Sequence, residues 1–124
     1  MVASLAPALA LALAAIAAPA TPPTEDQKIE ALIGRVDQMT DAVFVRNGSS
    51  YDGHAAAKHL REKWRWKKGE VKTARDFIRL CASVSSQSGQ PYLLRWKDGR
   101  TQKAADFFGA ELDKLEGKTG PPPR

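Results

Sequence analysis

Backbone breakers fence in the foldable part of this chain. Pro22 and Pro23 resist helix up to Thr24, and beyond Glu116 the run Gly-Lys-Thr-Gly-Pro-Pro-Pro-Arg offers nothing apolar to bury. The stretch between, residues 21–116 with its lead-in, is the size of one small globular domain and contains no internal repeat. A domain this small buries only about 60–65% of its unfolded surface, so its core is modest. Cys81 is the only cysteine, and no internal disulfide can reinforce that core. Residues 117–124 read as a disordered tail.

Residues 1–20 are of another kind. They carry no ionisable side chain, are mostly Ala and Leu, and end in Ala18-Pro19-Ala20, a small-x-small cleavage pattern. The stretch is short for a membrane span, which needs about 20 apolar residues. It reads as a secretory signal peptide cleaved near Ala20, with an uncleaved anchor as the rival, since only the amino terminus supplies the usual positive charge. The mature chain is then expected to be periplasmic or secreted and to hold no transmembrane helix.

Within the domain, apolar spacing predicts a mainly α (α+β) fold: about four helices packed around a short two-stranded β ribbon. Ile29, Leu32, Ile33, Val36, Met39 and Val43 recur as one helical face, opened by Thr24 with Gln27 at the capping-box position. Val43 to Arg46 are then β-formers leading into Asn47-Gly48, a strong turn pair; Ser49-Ser50-Tyr51 is a weak strand partner and is read as loop. Asp52 caps a second helix with the stripe Ala56, Leu60, Trp64, and His59 and Lys63 stand on its shoulders. Thr73 with Asp76 opens a third, burying Phe77, Ile78, Cys81, Ala82 and Val84. Tyr92 to Lys97 reads as the second strand, ending at Asp98-Gly99. A last helix is expected from about Thr101 to Glu116, burying Ala104, Phe107, Phe108, Leu112 and Leu115.

The net charge of +5 belongs entirely to the chain after residue 20. Nine bases crowd between Lys58 and Arg79, opposed only by Glu62, Glu70 and Asp76. Such a patch favours an anionic partner, although a solvated helix face is the simpler account. Nucleic acid is not expected as a partner of an exported protein. Trp64 and Trp66 within the patch would suit a membrane interface, but two positions apart on a helix they face opposite ways.

Several chemistries lack their residues. His54 and His59, five apart, point about 140° from each other on a helix, and no cysteine or acidic cluster completes a metal site. No nucleophile elbow surrounds Ser83, Ser85, Ser86 or Ser88, and no phosphate-cradling or dinucleotide fingerprint appears. No metal or cofactor is therefore expected. Cys81 lies within the apolar stripe and reads as a buried, inert thiol.

Four short motifs stand in a telling order: Phe44-Val45-Arg46-Asn47-Gly48-Ser49-Ser50-Tyr51; Ala56-Ala57-x-His59-Leu60-Arg61-x-Lys63; Thr73-Ala74-x-Asp76-Phe77-Ile78; and Ser85-Ser86-x-Ser88-Gly89-x-Pro91-Tyr92-Leu93. Together they resemble the small exported bacterial proteins of domain-of-unknown-function family 5329, over about Ile29 to Leu112. The resemblance implies a signal peptide and carries no established activity. The chain departs from the family at Arg75, where an acid is usual, and at Trp64, where a smaller aliphatic is usual.

The polar residues that core packing does not demand are Arg46, Asn47, Tyr51, His59, Lys63, Ser86 and Tyr92. They form the candidate binding cluster of a non-enzymatic domain, whose partner would be a small ligand or an envelope protein. The alternative is a small hydrolase or transferase with His59 as base and Ser86 or Tyr51 as nucleophile or acid. A third reading is structural: the same residues lock the loop after the first helix onto the loop after the third.

Overall fold

A computed structural model describes residues 21–118; the expected leader and the tail beyond Lys118 lie outside the described residues. The elements run α1 (Glu25–Asp37), β1 (Ala42–Arg46), β2 (Ser49–Tyr51), α2 (Gly53–Trp66), α3 (Ala74–Cys81), β3 (Leu93–Trp96), β4 (Thr101–Lys103) and α4 (Ala104–Leu115). The fold is α+β. The expected two-stranded ribbon is instead, among the described residues, a four-stranded antiparallel sheet of order β2-β1-β3-β4.

Two short edge strands account for the difference. Asn47 (φ 51°) and Gly48 (φ 81°) both take positive φ, the turn geometry whose twist matches a two-residue hairpin. That turn folds Ser49–Ser50–Tyr51 back onto β1, with Phe44 opposite Tyr51 and Arg46 opposite Ser49, despite the low strand propensity of two serines. At the far edge Thr101–Lys103 pairs with β3, so α4 begins at Ala104 and not near Thr101. The first backbone N–H of α4, on Ala104, is satisfied by the carbonyl of Tyr92 at 2.8 Å.

Helix ends follow local chemistry. Capping boxes at Thr24/Gln27 and Thr73/Asp76 start α1 and α3, and the Asp52 side chain caps α2 through the Ala55 amide. Glu25, the first residue of α1, reaches the Ala74 N–H at 2.8 Å and so caps α3 from a neighbouring helix. Lys28 beside it holds the Glu25 carboxyl below the usual carboxylate range. Gly53 begins α2 where that helix meets the end of α1; a Cβ there would fall 2.2 Å from the Val36 carbonyl oxygen, so only glycine permits the approach. Gly117 and Lys118, the first residues of the expected tail, close α4 by donating to the Lys114 and Asp113 carbonyls, a Schellman ending.

α2 and α4 pack on one face of the sheet, the face carrying Ala42, Phe44, Leu94 and Trp96, and α1 and α3 pack against those two helices. Phe108 is the hub: its ring lies 6.1 Å from Phe44, 6.4 Å from Phe77 and 5.4 Å from Phe107. Cys81 is fully buried among these side chains, and burial pushes its thiol up from the ordinary value. Three residues read as core leave it. Val43 lies in β1 because α1 ends at Asp37, Val84 is 43% exposed because α3 stops at Cys81, and Leu115 is 40% exposed in the last turn of α4.

Candidate functional site

Strand and helix periods bring the polar residues together. Side chains two apart on a strand share a face, so Arg46 projects on the same side as Phe44, toward the helices. Tyr51, paired with Phe44, does likewise. Tyr92 stands two before Leu94, its backbone pinned at both ends: its N–H donates to Ser83 and its carbonyl accepts from Ala104. On α2, His59 and Lys63 are one turn apart, and Lys67 at the C-cap continues the row.

A hydrogen-bond chain joins them. The Lys63 ammonium donates to the Tyr92 hydroxyl at 3.1 Å and to the Val84 carbonyl at 3.2 Å. Tyr92 Oη stands 3.2 Å from His59 Nε2. Since Lys63 can only donate, the Tyr92 hydroxyl accepts from it and keeps a proton and a second lone pair, and the His59 tautomer sets which of them meets Nε2. Arg46 Nη1 approaches the same Nε2 at 3.2 Å, and Nη2 donates to the Tyr51 hydroxyl at 3.4 Å. The guanidinium carbon sits 5.3 Å from the Tyr51 ring centre, within cation–π range. An Nε2 that accepts is the neutral form of histidine. Burial first, then the charges of Arg46 and Lys63, hold the His59 ring below its usual range, with Glu62 opposing.

Lys63 is only 6% exposed, and its hydrogen-bond partners are neutral. Buried ammonium groups ordinarily carry a paired carboxylate. Here the basin into which Lys63 opens, about 510 Å³, is lined by Arg46, His59, Lys67, Ser86 and Gln87 with no carboxylate. Trp66, 80% exposed, stands on its rim. A second cleft of about 270 Å³ lies beside it, walled by Phe44, Tyr51, Ala55, Ala56 and Leu60 with Lys58 and Glu62, and Arg46, His59 and Tyr92 line both.

A separate clasp lies next to the basin. The Asn47 amide nitrogen donates to Ser85 Oγ at 3.1 Å, and the Ser88 hydroxyl donates to its carbonyl oxygen. Ser85, 3% exposed, also accepts from the Gln87 and Ser88 amides. The β1–β2 turn is thereby tied to the loop after α3, which closes on itself through Gly89 N–H to the Ser85 carbonyl and Ser85 N–H to the Gln90 carbonyl.

The seven candidate residues thus divide. Arg46, Tyr51, His59, Lys63 and Tyr92 form one connected group, Ser86 lines the basin exposed and outside that chain of bonds, and Asn47 belongs to the clasp. His59 meets the hydroxyl of Tyr92, not that of Ser86 or Tyr51. The other histidine, His54, bonds Asp37 at 2.9 Å on another part of the surface.

Ser85, Ser88 and Lys67 are the residues that sequence reasoning missed. Lys67 had a signal, the i, i+4 row with His59 and Lys63; nothing in a run of four serines distinguishes the buried one. Within the expected basic patch, Arg61 pairs with Glu30, Lys68 with Asp26, Arg75 with Asp113 and Arg79 with Asp76. Much of its charge is therefore met within the molecule. Among the described residues no helix is long and apolar enough to cross a membrane.

Comparison with known proteins places this geometry in context. The sequence model of a family of unknown function (DUF5329) matches residues 23–116. The uncharacterized protein YfeK of Salmonella typhimurium (strain LT2) is 38% identical over 68 residues, 55% of this chain and 57% of that protein. The matched part therefore spans just over half the length of this curated relative. No solved structure matches.

Proposed function

The chain belongs to the DUF5329 family of unknown function, and from that premise we propose that it is an exported, non-enzymatic domain whose basic basin binds a small anionic ligand. One observation carries the reading: a buried lysine, with an arginine and a histidine beside it, opens into a basin that contains no carboxylate. An anion entering it would meet Arg46, Lys63, Lys67 and the Ser86 hydroxyl, and would supply the counter-charge that the protein does not. Charge-assisted contacts of this kind are the stronger class of hydrogen bond. The apolar leader of residues 1–20 supports export.

A structural role stands beside it for the clasp. Asn47, Ser85 and Ser88 join two loops by hydrogen bonds that leave little of their polar capacity for a ligand. The clasp holds the mouth of the basin in shape by fixing the turn that follows Arg46.

Thermal unfolding tests the binding role. At constant ionic strength, replacing chloride by phosphate raises the melting temperature as ligand binds the folded state, and Arg46→Gln cuts that rise. A melting temperature indifferent to phosphate, or an equal rise in Arg46→Gln, overturns the reading.

A further inference from the structure

We infer that the ligand is an oxyanion bearing one short apolar arm, an aryl or short-alkyl carboxylate or phosphate, whose head occupies the basin while its arm fills the neighbouring cleft. The inference rests on the anion-binding reading above and adds the second half of the ligand.

Two depressions that differ in charge share one ridge. Arg46, His59 and Tyr92 line both. On one side lie Lys63, Lys67 and Ser86; on the other the walls are the side chains of Phe44, Tyr51, Ala55 and Leu60. Phe44 and Leu60 are core residues, so the floor of the second cleft is an edge of the hydrophobic core open to solvent. Covering such surface is favourable at roughly 25 cal/mol per Å².

The ridge is suited to serve both sides. Arg46 is half-buried and held by contacts of 3.2 to 3.4 Å, while the guanidinium lies near the Tyr51 ring. Its N–H groups can meet an oxyanion in the basin while its flat face borders the apolar cleft. Glu62 and Lys58 both line the second cleft and offset each other's charge there, whereas the basin holds Lys63 and Lys67 with no carboxylate. That difference in charge sets the orientation, head to basin and arm to cleft.

Size limits the arm. A cleft of about 270 Å³ falls at the low end of small-molecule pockets, which run to about 1,000 Å³. It takes a single ring or a short chain, not the tail of a membrane lipid.

Calorimetric titration of the protein at constant ionic strength tests this with two matched pairs: acetate against benzoate, and phosphate against phenyl phosphate. In at least one pair the aryl member is expected to bind about tenfold tighter, as burial of a ring's apolar surface predicts. Ala55→Trp, at an exposed position lining only the apolar cleft, is expected to remove that advantage and leave the simple anion's affinity unchanged. Equal affinity within both pairs overturns the apolar arm while leaving anion binding in place. An aryl advantage that survives Ala55→Trp puts the arm elsewhere and also overturns the inference. No binding by any of the four overturns both readings.

Discussion

The Lys63 ammonium donates to the Tyr92 hydroxyl at 3.1 Å, joining the last turn of α2 to the residue that precedes β3. The ammonium's partners, this hydroxyl and the Val84 carbonyl, are neutral, and both residues are buried. The bond couples the burial of a lysine to the placement of a tyrosine whose backbone supports α4.

Removing either end costs the other a buried hydrogen bond, leaving Lys63 the Val84 carbonyl or Tyr92 the His59 ring. Tyr92→Phe and Lys63→Ala are each expected to lower stability by about 1–3 kcal/mol. The double variant should lose less than their sum by at least about 0.5 kcal/mol, since contacting residues are not additive. A double-mutant cycle by urea unfolding checks this; strictly additive losses would show that the two groups act independently.

Asn47 does two things that substitution can separate. Its φ of 51° costs an ordinary L-residue roughly 1–2 kcal/mol, and its amide holds Ser85 and Ser88. Asn47→Gly keeps the conformation and loses the clasp, whereas Asn47→Ala loses both. Chemical denaturation should therefore place Ala below Gly by about 1 kcal/mol, with both below wild type.

The His59 ring gives a pH dependence of definite sign. Burial, with Arg46 and Lys63 near, lowers its folded-state pKa, so the unfolded chain takes up the proton first. Stability linked to His59 is complete above the unfolded value of about 6.5. It is lost as pH falls below that value, and the loss levels off below the depressed folded pKa. His59→Gln should flatten the melting-temperature profile in this window. The separate loss at lower pH, where Glu25, Asp76, Asp98 and Glu116 are held below their usual ranges, should persist.

Much of this architecture is legible in the residues, and the gaps have physical causes. The stripes of α1 and α2, the caps at Thr24, Asp52 and Thr73, and the Asn47-Gly48 turn are local signals, and local rules suffice to read them. Ser49–Tyr51 pairs because the turn before it dictates pairing, against its own propensity. Thr101–Lys103 is a strand because β3 lies beside it, a tertiary fact invisible in a run that continues into helical spacing. Val84 and Leu115 follow the apolar pattern but lie past the point where their helices still face the core. At the site, periodicity puts His59 and Lys63 on one helix edge. The depth of Lys63 depends on the Ser83–Tyr92 loop folding over it, and that closure depends on Ser85, one serine among four.

The central claim, that an anion occupies the basin around Arg46, His59, Lys63 and Lys67, is tested most directly by NMR. The protein is titrated with phosphate at constant ionic strength while side-chain and backbone nitrogen signals are followed. Saturable shifts are predicted for Arg46, the His59 ring, Lys63 and the Ser86 amide, with Arg100 and Lys114, paired to Asp98 and Glu111 on other parts of the surface, unmoved. Shifts that fail to saturate and spread evenly over every basic side chain, or no shift at Arg46 and His59, would contradict it.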